Sequence, residues 1–295
     1  MSTVAVARSA GAKRRRASGR SRVRPALRSW LLLVAGLAII VVVLFPVYYA
    51  VIVALEPSST ILAVAPGVIP HQVTFANFHA AWDNEVSNIT ASLLVSLGVV
   101  LLTLLIATPA AHGLARFRFR GISIVIFALL VTQMVPGISL SIAFYVTFNK
   151  LHLLNGYLGL VLADSTYAVP FAVLVLRAYM TSLPSSIFEA AEIDGCGHGR
   201  AFLRIALPMA LPGIITAGLF AFLFAWGDFL FALTLNSSGS VQPLTLGLYK
   251  FVTAFGSNWG PMMATVVLAA IPSGIVLAVA QRWISGGLQA GALKG

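Results

Sequence analysis

Five histidines, one cysteine and eight acidic residues are all that this chain of 295 residues offers to acid–base, nucleophilic or metal chemistry. Cys196 stands alone, which permits no disulfide within the chain and no cysteine-based metal cluster. The nearest approach to a nucleophile motif is Gly137-Ile138-Ser139-Leu140, and an intramembrane serine protease would need a base within hydrogen-bond reach of Ser139. His71, His79, His152 and His198 fall between the apolar stretches, and His112 sits near the opposite end of the membrane from Ser139. No G-x-x-x-x-G-K-[ST] phosphate loop is present, and the glycines from Gly195 to Gly199 are not followed by the required lysine. The residues therefore predict no catalytic group, no metal site and no bound cofactor.

The elements that carry these residues are membrane spans. The chain is 59% hydrophobic and 9% charged, with a mean hydropathy of +0.95, whereas a soluble domain is roughly 25% charged. Six stretches meet the roughly 20 apolar residues that a span requires. They are Trp30 to Leu55, the later part of Val86 to Ala115, Gly121 to Asn149, Leu158 to Leu176, Pro212 to Leu235, and about Trp259 to Gln281. The first is too long for a signal-peptide core and lacks a small-x-small cleavage pattern, so it reads as a retained span.

Nine basic residues and no acid precede residue 29. Such a tail can bind nucleic acid, but directly before an apolar span it reads as a cytoplasmic flank facing anionic lipid, and no nucleic-acid partner is expected. With the N-terminus cytoplasmic, 17 basic residues fall inside and only Lys150 and Lys250 outside, which places both termini in the cytoplasm of a multi-pass protein of the cell (inner) membrane. The expected organisation is a disordered basic tail over residues 1–28, a six-helix transmembrane domain over 29–285 with one long inner loop at 181–211, and a C-terminal tail over 286–295. The fold class is all-α.

The inner loop holds three of the eight acids. Ser186 with Glu189 has capping-box spacing, which predicts a short helix from Ile187, closed by Gly195 in the left-handed conformation. A second short helix is predicted from Arg200 to Leu207, stopped by Pro208. Both are too short to stand alone, and Phe188, Ile193, Phe202, Leu203 and Ile205 need a surface. An elbow against the protein's own inner rim and a knob for another subunit fit equally well. Within the spans, Gln133, Ser139, Trp226 and Asp228 are candidates for a solute pathway. For Asp228 a structural role at a helix end or as an acceptor for Trp226 competes with substrate contact. Asp164, nearer the outer interface, is expected to be solvated. Polar residues such as Gln133 and Ser139 serve interhelical hydrogen bonds as readily as a pathway.

Glu189-Ala190-Ala191, three residues, Gly195, nine residues, then Ile205-Ala206-Leu207-Pro208 resembles the EAA loop of membrane subunits of binding-protein-dependent ABC importers. The likeness extends to Phe75-Ala76-Asn77-Phe78, Ala115-Arg116-Phe117-Arg118-Phe119-Arg120-Gly121, Met134-Val135-Pro136-Gly137 and Ala225-Trp226-Gly227-Asp228-Phe229. The ending from Gly287 to Gly295 is similar to that of the maltose-type sugar permeases, specifically the second subunit of the pair. Gly227 replaces the usual Asn, and Cys196-Gly197-His198 interrupts the usual small residues after the motif glycine.

The resemblance implies an importer-permease (MetI-like) core, a sugar as solute, and a passive half-channel paired with a homologous permease. It further implies two cytoplasmic ATPase subunits that hold ATP and Mg, and an extracytoplasmic sugar-binding protein. Glu189, Ala190, Ala191, Asp194, Gly195, Ile205, Leu207 and Pro208 would form the coupling element, and Gly287, Gly291, Lys294 and Gly295 a tail at the ATPase interface. The alternatives are a permease for another solute, such as a glycerophosphodiester or glycerol phosphate, and an ion-coupled secondary transporter, which shares broken helices and mid-depth ionisable groups.

Overall fold

The computed structural model describes residues 25–63, 67–117, 119–236, 238–253 and 256–292. The chain divides into residues 1–48 and 49–295. Of the first unit, the described part is the start of helix α1 (Pro25–Leu55); the basic tail up to residue 24 lies outside the described residues.

The second unit is built on α3 (Ala76–Arg116), α6 (Tyr157–Thr181), α10 (Leu211–Trp226) and α13 (Trp259–Ala292). α3 packs along α6, and α10 packs against both. The face that α3 buries carries Ala81, Glu85, Asn88, Ser92, Ser96, Thr103, Ala107 and Ala111 at helical spacing, while Leu94, Leu97, Leu101 and Leu105 are exposed. A helix that hides small and polar groups and shows leucine is inverted relative to a water-soluble one. In lipid this is the favourable order, because close backbone approach and interhelical hydrogen bonds, not expulsion of leucine from solvent, draw helices together.

Among the described residues, four helices are long and apolar enough to cross a membrane, or up to six spans if each of two sharply bent pairs counts as one. The first pair corrects the expected continuous span from Gly121 to Asn149: α4 (Ile122–Thr132) and α5 (Gly137–Lys150) meet at 92°. Pro136 has no N–H for the helical ladder, and its ring clashes with the carbonyl four residues earlier. The break is held from α6, where the Tyr167 hydroxyl donates to the Val135 carbonyl at 2.8 Å and the Tyr167 carbonyl accepts from Gln133 Nε2 at 3.0 Å.

The second pair corrects the helix expected to stop at Pro208. After α7 (Ser185–Ile193), the path runs through α8 (His198–Ala201), a π-helical turn at Phe202–Ala206 and α9 (Leu207–Met209), then bends by 74° into α10. Pro208 lies inside this path. Pro212 lacks the N–H that would bond back to it, so the bend falls at Ala210. The fifth span also differs from expectation: α10 ends at Trp226, and a separate short helix, α11 (Leu230–Leu235), follows Gly227-Asp228-Phe229.

Short elements cover the remaining end. Asn77, in the family-like Phe75-Ala76-Asn77-Phe78, donates to the carbonyls of Ala54 at 3.0 Å and Glu56 at 2.7 Å, closing the last turn of α1. The buried Glu56 carboxylate accepts from the backbone N–H of His71 at 2.9 Å and lies 3.0 Å from its Nδ1. α2 (Ser58–Ala63), α12 (Leu244–Lys250) and a two-residue hairpin of β1 (Val252–Thr253) with β2 (Gly256–Ser257) complete the fold. α13 is helical through Ala292, so residues 286–292 of the expected C-terminal tail continue the last span. Propagating an established helix costs far less than nucleating one, even through glycine.

Candidate functional site

The α7 loop is built from the end of α3. His112 and Arg116 stand one turn apart, and the Arg116 guanidinium lies 3.4 Å from the centroid of the Phe188 ring. The His112 ring is 4.9 Å from that of Phe202 and 6.4 Å from that of Phe188. Phe188 and Ala191 are buried beneath α7. A cavity of about 360 Å³ remains between the elements, lined among others by Arg116, Glu189, Glu192 and His198. Within the described residues, Nε and Nη2 of Arg116 and Nδ1 of His112 are buried there without hydrogen-bond partners.

Glu189 and Glu192 edge this cavity, and the far face carries Ala190 and Ile193, with Asp194 just past the helix end; all five are exposed. Ile193 is 86% exposed and Leu203, beyond the turn, 61%. The loop thus separates into two sets: Phe188 and Phe202 form an elbow against the chain's own helices, while Ile193 and Leu203 project away from them. Among the remaining sequence candidates, Ile205 and Leu207 are half-buried, Ala206 is buried and Pro208 is exposed.

Gly195 ends α7 as expected. Its φ is +75°; its N–H donates to the Glu192 carbonyl at 3.0 Å, and that of Cys196 to the Ala191 carbonyl at 2.8 Å. This nested pair defines a Schellman turn, which satisfies two terminal carbonyls. The capping box does not form. α7 begins at Ser185 with Pro184 as its N-cap and no side-chain cap bond. Because Pro184 sets the entry, Ser186 already lies within the first turn, where its hydroxyl is past the capping position.

A second polar site lies where the α4–α5 break and the α10–α11 break meet α6. A cavity of about 210 Å³ is lined by Gln133, Gly137, Asp164, Tyr167, Asp228 and Phe231 among others. The Asp228 carboxylate accepts from the N–H of Phe231 at 3.2 Å and of Ala232 at 3.0 Å, capping α11, and its carbonyl accepts from the Thr245 hydroxyl. Asp164, expected to be solvated, is only 5% exposed and lines the same cavity. Its position near the start of α6 suggested an interface, but the broken helices fold over it.

Of the four pathway candidates, the structure brings Gln133 and Asp228 together. Ser139 is exposed on α5. Trp226 stacks on Phe222 with ring centroids 5.5 Å apart, in an apolar cluster with Leu244. In the proposed tail, Gly287 and Gly291 lie in α13, and Lys294 and Gly295 fall outside the described residues.

Residues 100–289 match the family described as binding-protein-dependent transport system inner membrane component. The chain belongs to this family. The importer permeases it resembles at full length include the diacetylchitobiose uptake system permease protein DasC of Streptomyces coelicolor, 34% identical over 89% of this chain and 96% of that one. Another is the trehalose transport system permease protein SugB of Mycobacterium tuberculosis, 32% identical over 85% of this chain and 93% of that one. The fold matches a solved bacterial ABC transporter that imports the acidic polysaccharide alginate, with a TM-score of 0.74 at 20% identity, covering 88% of this chain and 98% of that one. A permease of this family is a transport component and not an enzyme. Its core is the all-α importer fold, and the EAA-like loop described above falls within the matched region.

Proposed function

We propose that this chain is one of two homologous permease subunits of an ATP-driven sugar importer in the cell membrane, with both termini cytoplasmic. ATP and Mg belong to two ATPase subunits on the cytoplasmic side, and an extracytoplasmic binding protein delivers the sugar. The names of the diacetylchitobiose and trehalose permeases support a carbohydrate over glycerol phosphate. The basic asymmetry of the flanks supports the orientation.

The observation that carries the coupling role is the division of α7 into a buried and an unburied face. Arg116 and Phe188 seat it, Gly195 turns the chain away from it, and Ile193, at 86% exposure, is left uncovered by the described residues. Isoleucine held rigidly on a polar surface suits a cleft on a partner, and Glu189, Glu192 and Asp194 give that surface a negative rim. Ile205, Leu207 and Pro208 belong to the same coupling element, and Gly287, Gly291, Lys294 and Gly295 are assigned to the interface with the same ATPase pair. In the membrane, the pathway role is kept for Gln133 and Asp228.

Affinity purification of the tagged chain from its own membranes in mild detergent tests the assignment. A second permease and an ATPase subunit should copurify in fixed ratio, and Ile193→Asp should release the ATPase while keeping the permease pair. Copurification with no ATPase would contradict the proposal, as would an Ile193→Asp complex that keeps its full ATPase content.

A further inference from the structure

The cavity between the two helix breaks has a property that its separate residues do not show: its polar side chains offer mostly acceptors. Gln133 uses one amide N–H on the Tyr167 carbonyl, leaving its oxygen and its second N–H. Tyr167 gives its hydroxyl proton to Val135, leaving lone pairs. Asp228 takes one backbone N–H on each carboxylate oxygen and keeps a free lone pair on each. Asp164 is 5% exposed, lines the cavity and has no hydrogen-bond partner among the described residues. An acceptor that opens into a cavity without a protein donor is free to take one from a bound molecule.

We infer that Asp164, together with Asp228 and Gln133, forms an acceptor-rich subsite that receives the hydroxyl groups of one ring of a neutral sugar. The inference rests on the reading of the chain as a sugar-importer subunit and gives that pathway a residue the sequence had set aside. The donors must come from the solute. A bare cation also seeks acceptors, but Phe224, Leu230 and Phe231 occupy the rest of the wall and offer it no ligand. A sugar ring is amphipathic, with C–H faces to set against Phe224, Phe231 and Tyr167 and an O–H edge to set against the carboxylates. At about 210 Å³ the cavity is smaller than the roughly 300 Å³ of a site that encloses a whole ligand, so it takes one ring at a time.

The test uses the assembled complex with its binding protein in proteoliposomes containing ATP. It measures uptake of radiolabelled trehalose, N,N′-diacetylchitobiose, maltose and raffinose, then of monodeoxy analogues of the sugar carried fastest. Asp164→Asn, nearly isosteric, should lower uptake about tenfold, the loss expected when one hydrogen bond to the solute is removed. At least one deoxy analogue should be carried more slowly by the unaltered complex, and that penalty should vanish in D164N, which a merely structural aspartate would not cause. If D164N does not assemble, Asp164→Ser gives the same comparison. Equal deoxy penalties in both complexes would overturn the subsite while leaving the sugar reading intact. Uptake that depends on Na⁺ or K⁺ and loses this dependence in D164N, with deoxy penalties unchanged, would make it a cation site and overturn the inference. Failure of the unaltered complex to carry any of the four sugars would overturn the sugar reading and the subsite with it.

Discussion

Arg116 lays its guanidinium on the Phe188 ring at 3.4 Å, and this contact fixes where the α7 surface stands. A cation–π contact of this kind contributes about 0.5–2 kcal/mol, and truncating a buried phenylalanine costs about 3–5 kcal/mol. Because the spans are held by their own packing, Phe188→Ala should leave insertion unchanged and lower ATPase content and sugar uptake severalfold. Wild-type uptake by the F188A complex would show that the seat is dispensable. At this scale the sequence was partly legible. Gly195 could be read because a positive φ selects glycine. Ser186 with Glu189 was misread because Pro184 moved the helix start by two residues, and Asp164 was misread because its burial depends on two distant helix breaks. The pairing of Arg116 with Phe188, 72 positions apart, left as its only signal the one-turn spacing of His112 and Arg116 at the end of α3.

Among the elements, α7 with its closing turn is the part where one substitution separates folding from coupling. Gly195 has φ +75° and open space around it, so a side chain there meets no clash but a backbone penalty. Gly195→Val should cost about 1–3 kcal/mol locally and re-aim the chain between α7 and α8. The expected outcome is a complex whose ATP hydrolysis no longer rises with sugar-loaded binding protein; normal stimulation would refute the role of the turn. The long spans were legible because length and composition suffice for a lipid-facing helix. The bends were not. Proline signals that a ladder bond is lost, but the 92° angle at Pro136 depends on Tyr167 from α6 holding the exposed carbonyl, and Pro208, which also lacks an N–H, follows the π-helical turn at Phe202–Ala206 while the bend comes later, before Pro212.

For the whole molecule, orientation is the property on which the coupling argument depends. Single cysteines at Ser59, Ser238 and Ser185, all at exposed positions, should report it in a Cys196→Ala background. In sealed cells, a membrane-impermeant thiol reagent should label the cysteines at 59 and 238 and spare the one at 185. Labelling at 185 would place α7 on the wrong side for a cytoplasmic ATPase. The basic asymmetry is the sequence feature that supports this topology, whereas the two-faced loop and the cavity between breaks arise only from packing.

The most direct test of an ATP-driven permease is the energy source of uptake in cells that carry this chain, compared with a deletion strain. Uptake of the sugar lost in the deletion strain should stop when ATP is depleted and continue when the proton and sodium gradients are collapsed with ATP maintained. Uptake that survives ATP depletion and stops with the gradients would contradict the account and make the chain an ion-coupled transporter.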